Sequence, residues 1–217
     1  MFIDLIIPTL WVYKPFYQKH LQYYSSLSEI NKIIIIDNNK QQRPVTEVLN
    51  HEKIKLITPG RNIYVGPSWN EGAKNAEAEI INLLNDDLLV DEEVFKYVSK
   101  LDFSNIDIIG FNHRQICNET STVKFYHDRN RPLGEQCYGF GSCMFLSKNG
   151  YPYIPENYQI LFTDDYLVHN CTNVYVLNTN KIQGTMSNTL VTLYNNKEIV
   201  DRMDLDILNG KRDLLKL

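Results

Sequence analysis

"IINLLNDDLLV", residues 80–90, begins as a run of Ile and Leu, breaks at Asn85, Asp86 and Asp87, and turns apolar again at once. A short apolar run bounded by turn residues reads as a core strand of a sheet covered on both faces. Why such a strand ends in two adjacent carboxylates is a question of charge. Two ionised carboxylates about 4 Å apart repel by roughly 4 kcal/mol at an effective dielectric of 20. One then takes a proton, or a cation intervenes. Mg²⁺ commonly accepts one or two carboxylates and fills its shell with water and substrate phosphates. Asn-Asp-Asp is also ordinary turn chemistry, in which the side chains bond their own backbone, and on spacing alone the turn is the commoner outcome.

Working upstream, "PSWNEGAKNAEAEI" (67–80) predicts a helix that delivers the chain into this strand. Trp69, Gly72, Ala73 and Ala76 share a face, and Ser68 and Glu71 have the spacing of a capping box. "IKLIT" (54–58) reads as a strand, preceded by a helix through Val45, Val48 and Leu49. "FIDLIIP" (2–8) and "KIIIID" (32–37) are further β-branched runs. Between them Tyr13, Phe16, Tyr17, His20, Leu21, Tyr24 and Leu27 recur at intervals of three and four, one face of a helix. Downstream, Asp91 caps a helix carrying Val94, Val98 and Leu101, and "IDIIGF" (106–111) is the fifth strand. Residues 112–136 are polar, a hairpin or loop, followed by "YGFGSCMFLS", "LFTDDYLV", the strand-like "NVYVL" and an amphipathic tail. Strands alternating with helices predict an α/β fold, with a mostly parallel central sheet and helices on both faces. The length suits one domain, 1–217.

Composition narrows the partners. Hydrophobic residues are 43% and charged residues 22%, as in ordinary globular chains, which excludes disordered and coiled-coil readings. A net charge of −4 argues against a surface for phosphate backbones, so no nucleic acid is expected. Cys117, Cys137, Cys143 and Cys171 form no CxxC pair, and free thiols in a reducing cytoplasm account for them. There is no signal-like N-terminus and no uncharged apolar run of about 18 residues, so an integral membrane segment is not expected. A cytoplasmic location follows, with a peripheral visit to a membrane left open.

Other strand ends add to the question. "IIIIDNN" closes one strand with Asp37, Asn38 and Asn39, and "IIPT" closes the first with Pro8 and Thr9. In open parallel sheets ligands bind beyond the carboxyl ends of the strands, so polar side chains at three such ends suggest a shared crevice. Asp37 has two readings there, a hydrogen-bond acceptor for a nucleobase or ribose, or a turn cap.

"LIIPT", "IIIIDNN", "RNIYVGPSWNEGAKNA" and "LLNDD" together resemble, in order and spacing, the nucleotide-binding half of GT-A glycosyltransferases of the large inverting family two. The family's D-x-D is N-x-D in some members, notably rhamnosyltransferase-like ones, and "NDD" fits that form. The resemblance implies a Rossmann-like GT-A fold, with residues 1–111 as the nucleotide-sugar half and 112–217 as a small acceptor half with its tail. It implies a nucleotide-diphosphate sugar donor, a glycan or glycoconjugate acceptor, and Mn²⁺ or Mg²⁺ as cofactor. Asp87 would hold the metal on the diphosphate, Asn85 would lie near the ribose and Asp37 would contact the base. Pro8, Thr9, Asn39, Arg61, Asn70 and Asp86 complete the implied nucleotide-sugar site.

The later match is looser. "YGFGSCMFLSKNGYPYIPENYQILFTDDYL" is similar to the acceptor segment, which puts Asp164 on the family's general base, with Asp165 one register away. Thr163 replaces an acid and Tyr166 an Asp. Gln183, in "KIQGTMSNT", stands where some members have a metal-ligating His, and Tyr64 where Gly is usual. On its own, Asp164 has a second reading as a helix N-cap. Arg61 has a second reading as a solvated loop residue; His113, His127 and His169 have a structural reading beside a role as metal ligand or acceptor contact, and the basic 113–131 stretch reads as a solvated hairpin or as a surface that steers an anionic donor or acceptor. These departures leave open a degenerate nucleotide-sugar-binding domain. A sugar nucleotidyltransferase would want a Gly-rich basic loop after the first strand, where "PTLWVYKPF" stands, and a dehydrogenase would want G-x-G-x-x-G.

Overall fold

Four consecutive isoleucines, Ile33 to Ile36, show how the sheet is built. Ile33 and Ile35 join one buried cluster and Ile34 and Ile36 another, so the strand is covered on both sides, as period-two alternation requires. The computed structural model describes residues 1–111, 120–126, 140–184 and 197–214, with side chains of the last helix described to Asn209.

The elements in chain order are β1 (Ile3–Thr9), a π-helical turn (Phe16–His20) running into α1 (Leu21–Ser26), β2 (Ile30–Asp37), β3 (Ile54–Ile57), α2 (Val65–Asn75), β4 (Ile80–Leu84) and β5 (Leu88–Val90). Then come α3 (Glu92–Val98), β6 (Ile108–Phe111), β7 (Thr122–Phe125), β8 (Cys143–Ser147), α4 (Thr163–Asn170), β9 (Val174–Asn178), β10 (Ile182–Gly184) and α5 (Lys197–Leu214). The main sheet has the order β3-β2-β1-β4-β8-β6-β9-β7. Its pairs β3/β2, β2/β1, β1/β4 and β6/β9 are parallel, and β8 lies antiparallel between β4 and β6. This is the α/β, mostly parallel, Rossmann-like arrangement expected.

The polarity of β8 brings two turns together. Leu84 at the end of β4 faces Cys143 at the start of β8, so the turn carrying Asp86 and Asp87 meets the turn Phe140–Ser142 at one edge. Asn85 N–H donates to Ser142 C=O at 3.0 Å across that junction.

Three local expectations are corrected. The helix expected through Val45, Val48 and Leu49 is two 3₁₀ turns, Lys40–Gln42 and Glu47–Asn50. Pro44 disfavours helical backbone at Arg43 and lacks an N–H, and Val45 points into solvent. Ser68 does not cap α2, which starts a turn earlier at Val65; Pro67 is tolerated in that first turn, and Ser68 N–H and hydroxyl both donate to Tyr64 C=O. The strand over 108–111 is sixth, because the apolar residues after Asp87 form β5, which pairs with β10 in a separate two-stranded sheet. Asp91 caps α3 as expected, accepting Glu93 N–H at 2.9 Å. None of the described helices is long and apolar enough to cross a membrane.

Candidate active site

Thr9 and Asp37 end the neighbouring strands β1 and β2 in register. A buried carboxylate must be paired to be tolerated. Asp37 accepts from Trp11 Nε1 at 2.8 Å and from Asn39 N–H at 3.1 Å, both on Oδ1, and Arg43 Nη1 lies 3.4 Å from Oδ2. Trp11 takes a left-handed φ of 63°, and its N–H donates to Thr9 Oγ1 at 2.9 Å. The Thr9 hydroxyl in turn donates to Asp86 Oδ2 at 2.6 Å. One hydrogen-bonded line therefore runs from Asp37 through Trp11 and Thr9 to the Asn85–Asp87 turn. Pro8 precedes Thr9 on the same strand.

Asn38 organises the loop before α2. Its Oδ1 accepts Ile63 N–H at 3.0 Å and its Nδ2 donates to Ser68 Oγ at 3.0 Å. Arg61 is exposed on that loop. Tyr64 adopts φ 63°, ψ −171°, a region that side chains rarely enter, and its hydroxyl donates to Glu198 of α5 at 2.9 Å. Asn70 stands apart from the crevice network. Its Oδ1 accepts from Tyr151 hydroxyl and Ile154 N–H, and its Nδ2 donates to Ile154 C=O, which fastens the 151–154 segment to α2.

Burial pushes the Asp86 carboxyl up to about 6; the Thr9 hydroxyl works against that rise and the Asp87 charge adds to it. Asp87 is 2% exposed. The two offer only oxygen donors, and among the described residues no group of three His, Cys, Asp or Glu converges. A hard divalent cation that takes one or two carboxylates and the rest from phosphate and water fits this donor set. Gln183, in β10, faces Leu89 of β5, and Gly184 faces Leu88. A Cβ on Gly184 would sit 2.7 Å from Asp87 C=O, so β10 packs directly on the backbone of this turn.

On the other side of the Phe140–Ser142 turn lie Asp164 and Asp165, in the first turn of α4. Asp164 is inside the helix rather than ahead of it, so the N-cap reading does not apply; the N-cap position belongs to Phe162. Gly141 N–H donates to Asp164 Oδ2 at 3.0 Å. Only glycine permits this approach, since a Cβ on Gly141 would stand 2.9 Å from that oxygen. Burial pushes the Asp164 carboxyl up to about 7, the Asp165 charge adds to the rise, and the Gly141 amide opposes it. Asp165 is the more buried of the pair, at 7% exposure.

The structure thus brings Thr9, Asp37, Asn39, Asn85 and Asp86 into one network, sets Asp87 in the same turn, and joins Asp164 to it through residues 140–142. Trp11, Arg43 and Gly141 are missing from the sequence-based set. Gly141 carried a signal in the Gly-rich "GFGS", whereas nothing in the local sequence marks Trp11. His113, His127, Arg129 and Arg131 lie outside the described residues, and His169 is exposed on α4.

A family model for glycosyl transferase family 2 matches residues 24–177, well over half of the chain. The chain belongs to glycosyl transferase family 2. The fold of this family 2 member is similar to that of a TarS fragment (residues 1–349) from S. aureus, with a TM-score of 0.59 at 14% identity over 97% of this chain and 71% of that one. The same fragment in complex with UDP gives 0.61 at 17% identity, covering 96% and 66%. The mannosyltransferase PcManGT from Pyrobaculum calidifontis, in complex with GDP-Man and Mn²⁺, gives 0.50 at 11% identity, covering 72% and 48%. This chain spans 36% of a longer TarS chain. Among curated protein sequences none matches it significantly.

Proposed function

We propose that this chain moves a sugar from a nucleotide-diphosphate sugar to an acceptor hydroxyl on a glycan or glycoconjugate, inverting the anomeric carbon. In this reading residues 1–111 hold the donor, residues 112–217 present the acceptor, and Asp164 is the general base. The observation that carries it is the meeting of two carboxylate pairs across one short turn. Asn85 N–H binds Ser142 C=O, and Gly141 N–H binds Asp164. A donor diphosphate at the first pair would place its anomeric carbon toward the second.

Thr9, Asn85 and Asp86 line the donor end, with Pro8 behind Thr9 on β1, Asn39 and Arg61 on the surrounding loops, Asp37 facing the nucleobase, and Asn70 of α2 contributing through the 151–154 segment that it fastens. Asp87, with Asp86 beside it, would hold Mn²⁺ or Mg²⁺, which when bound supplies Lewis-acid stabilisation of the leaving diphosphate. The acceptor oxygen attacks the anomeric carbon, the bond from that carbon to the phosphate oxygen breaks, and the nucleoside diphosphate leaves with the electron pair. The acceptor proton passes to Asp164. A carboxylate with proton affinity near neutrality suits that role, worth roughly 10²–10⁴ in rate. The greater exposure of Asp164 favours it over Asp165, whose charge keeps that affinity high.

The test is a panel of nucleotide sugars with Mg²⁺ or Mn²⁺, beginning with UDP-GlcNAc and GDP-Man because TarS and the mannosyltransferase carry them. The expected result is one donor that both raises Tm and releases nucleoside diphosphate. If no sugar nucleotide with metal stabilises the protein, the proposal fails. Stabilisation without turnover would instead support a binding domain, in line with Gln183 standing where some members of the family have a His and Thr163 where the family has an acid.

A further inference from the structure

Helix α5 carries none of the residues assigned above to the donor, the metal or the base, yet it holds a fully buried carboxylate. Asp206 is 0% exposed near the middle of the helix. An anion removed from water must be repaid in hydrogen bonds. Asp206 Oδ2 accepts Ile160 N–H at 2.7 Å and Leu161 N–H at 2.9 Å, and Gln159 N–H lies 3.3 Å from both oxygens. Arg202, one helical turn earlier, sets Nε 3.8 Å from Oδ1. Three successive amides converging on one anion form a nest, which fixes the backbone that supplies them.

The start of this segment is also held from the other side. Gln159 C=O accepts Gly66 N–H of α2 at 2.9 Å, and a Cβ on Gly66 would stand 2.5 Å from Tyr158 C=O. Immediately afterwards Phe162 takes φ 60°, ψ 10°, left-handed for an aromatic residue, a conformation costing on the order of 1–3 kcal/mol that persists only when its surroundings impose it. Phe162 C=O then accepts Tyr166 N–H at 2.9 Å, closing the first turn of α4. Asp164 is two residues on.

We infer that Asp206 is a positioning residue for the general base: its carboxylate holds the 159–161 turn and the left-handed Phe162, and through them sets where α4 presents Asp164. This rests on Asp164 being the base. The Tyr64 hydroxyl bond to Glu198 pins the same helix to the N-terminal end of α2, so α5 spans from the donor loop to the turn before the base.

The experiment uses the full chain and UDP-GlcNAc or GDP-Man, whichever turns over, with Mn²⁺. Asp206→Asn is expected to lower kcat about 10- to 100-fold, the scale of a small misplacement of a catalytic group, while donor KM stays within about threefold. The rising limb of the kcat–pH profile moves to lower pH as Asp164 gains water. Asp206→Ala goes further in the same direction. In the unsubstituted protein the amides of Ile160 and Leu161 are expected to exchange slowly with deuterium despite lying outside any helix or strand. Wild-type kcat and pH limb in Asp206→Asn, beside an inactive Asp164→Asn, would overturn the inference, as would rapid exchange at both amides whether or not the variants fold. Full turnover by Asp164→Asn would overturn the base assignment instead, which is a separate failure.

Discussion

Gly141→Ala asks whether the contact between Gly141 and Asp164 governs turnover. The added methyl would lie 2.9 Å from Asp164 Oδ2 and 3.1 Å from Cγ, several tenths of an ångström inside ordinary contact. The group that must yield is the far end of a side chain, so the fold bears little of the cost. Gly→Ala at a compatible backbone shifts stability by less than about 1 kcal/mol, or roughly 2–4 °C in Tm for a chain of this size. The carboxylate that moves is the proposed base, and it loses the Gly141 N–H bond of 3.0 Å as it does so. A displacement of that order costs roughly 10- to 100-fold in kcat, since 1 Å misplacements cost about 10². Release of nucleoside diphosphate from the preferred donor, measured with KM and Tm, checks this. Wild-type kcat in Gly141→Ala beside an inactive Asp164→Asn would show that the close approach is irrelevant.

With its carboxyl held up to about 7 by burial and by Asp165, Asp164 accepts protons only once ionised, so kcat should rise with pH through about 7. Asp165→Asn removes one of those causes, and its pH–rate profile should rise at lower pH. The same raised affinity favours the fold fully below the unfolded carboxyl's range and is lost as pH climbs through about 7, so Asp164→Asn should raise Tm at pH 8 and leave it unchanged at pH 3. Asp87→Ala should abolish Mn²⁺-assisted uptake of every sugar nucleotide in calorimetry, and undiminished uptake would remove Asp87 from the donor site. Trp11→Phe deletes the indole N–H that Asp37 accepts, and leaving a buried carboxylate short of a donor costs about 1–3 kcal/mol, read as a lower urea midpoint.

The parts of the fold legible in the sequence were those that burial dictates. Runs such as Ile33–Ile36 and Ile80–Leu84 can only be strands covered on both sides, and Asp91 lies where a helix N-terminus needs an acceptor. Elements whose limits depend on distant partners were not legible. Ser68 has the spacing of a cap, but Tyr64, strained and tied to Glu198 far along the chain, starts α2 earlier. β5 is too short to be recognised without β10, its partner some ninety residues away. In the site, the strand-end polar residues announced themselves by interrupting apolar runs. Trp11 and Arg43 did not, because their roles exist only once Asp37 is folded beside them.

The antiparallel placement of β8 next to β6 also bears on how the chain tolerates change. Gly110 of β6 faces Met144 of β8, so the chain leaving Phe111 comes back to Cys143 one strand spacing away, roughly 5 Å. The entropy of closing such an excursion grows only with the logarithm of its length, about 0.6 kcal/mol for each doubling. Within that interval β7 pairs with β9, Phe140 is fully buried, and Gly141 and Ser142 bond Asp164 and Asn85, so changes there are felt by the sheet and by the site alike. A small entropic cost for lengthening the excursion is therefore no licence to alter these anchors: a change of length leaves the fold intact only where it spares them.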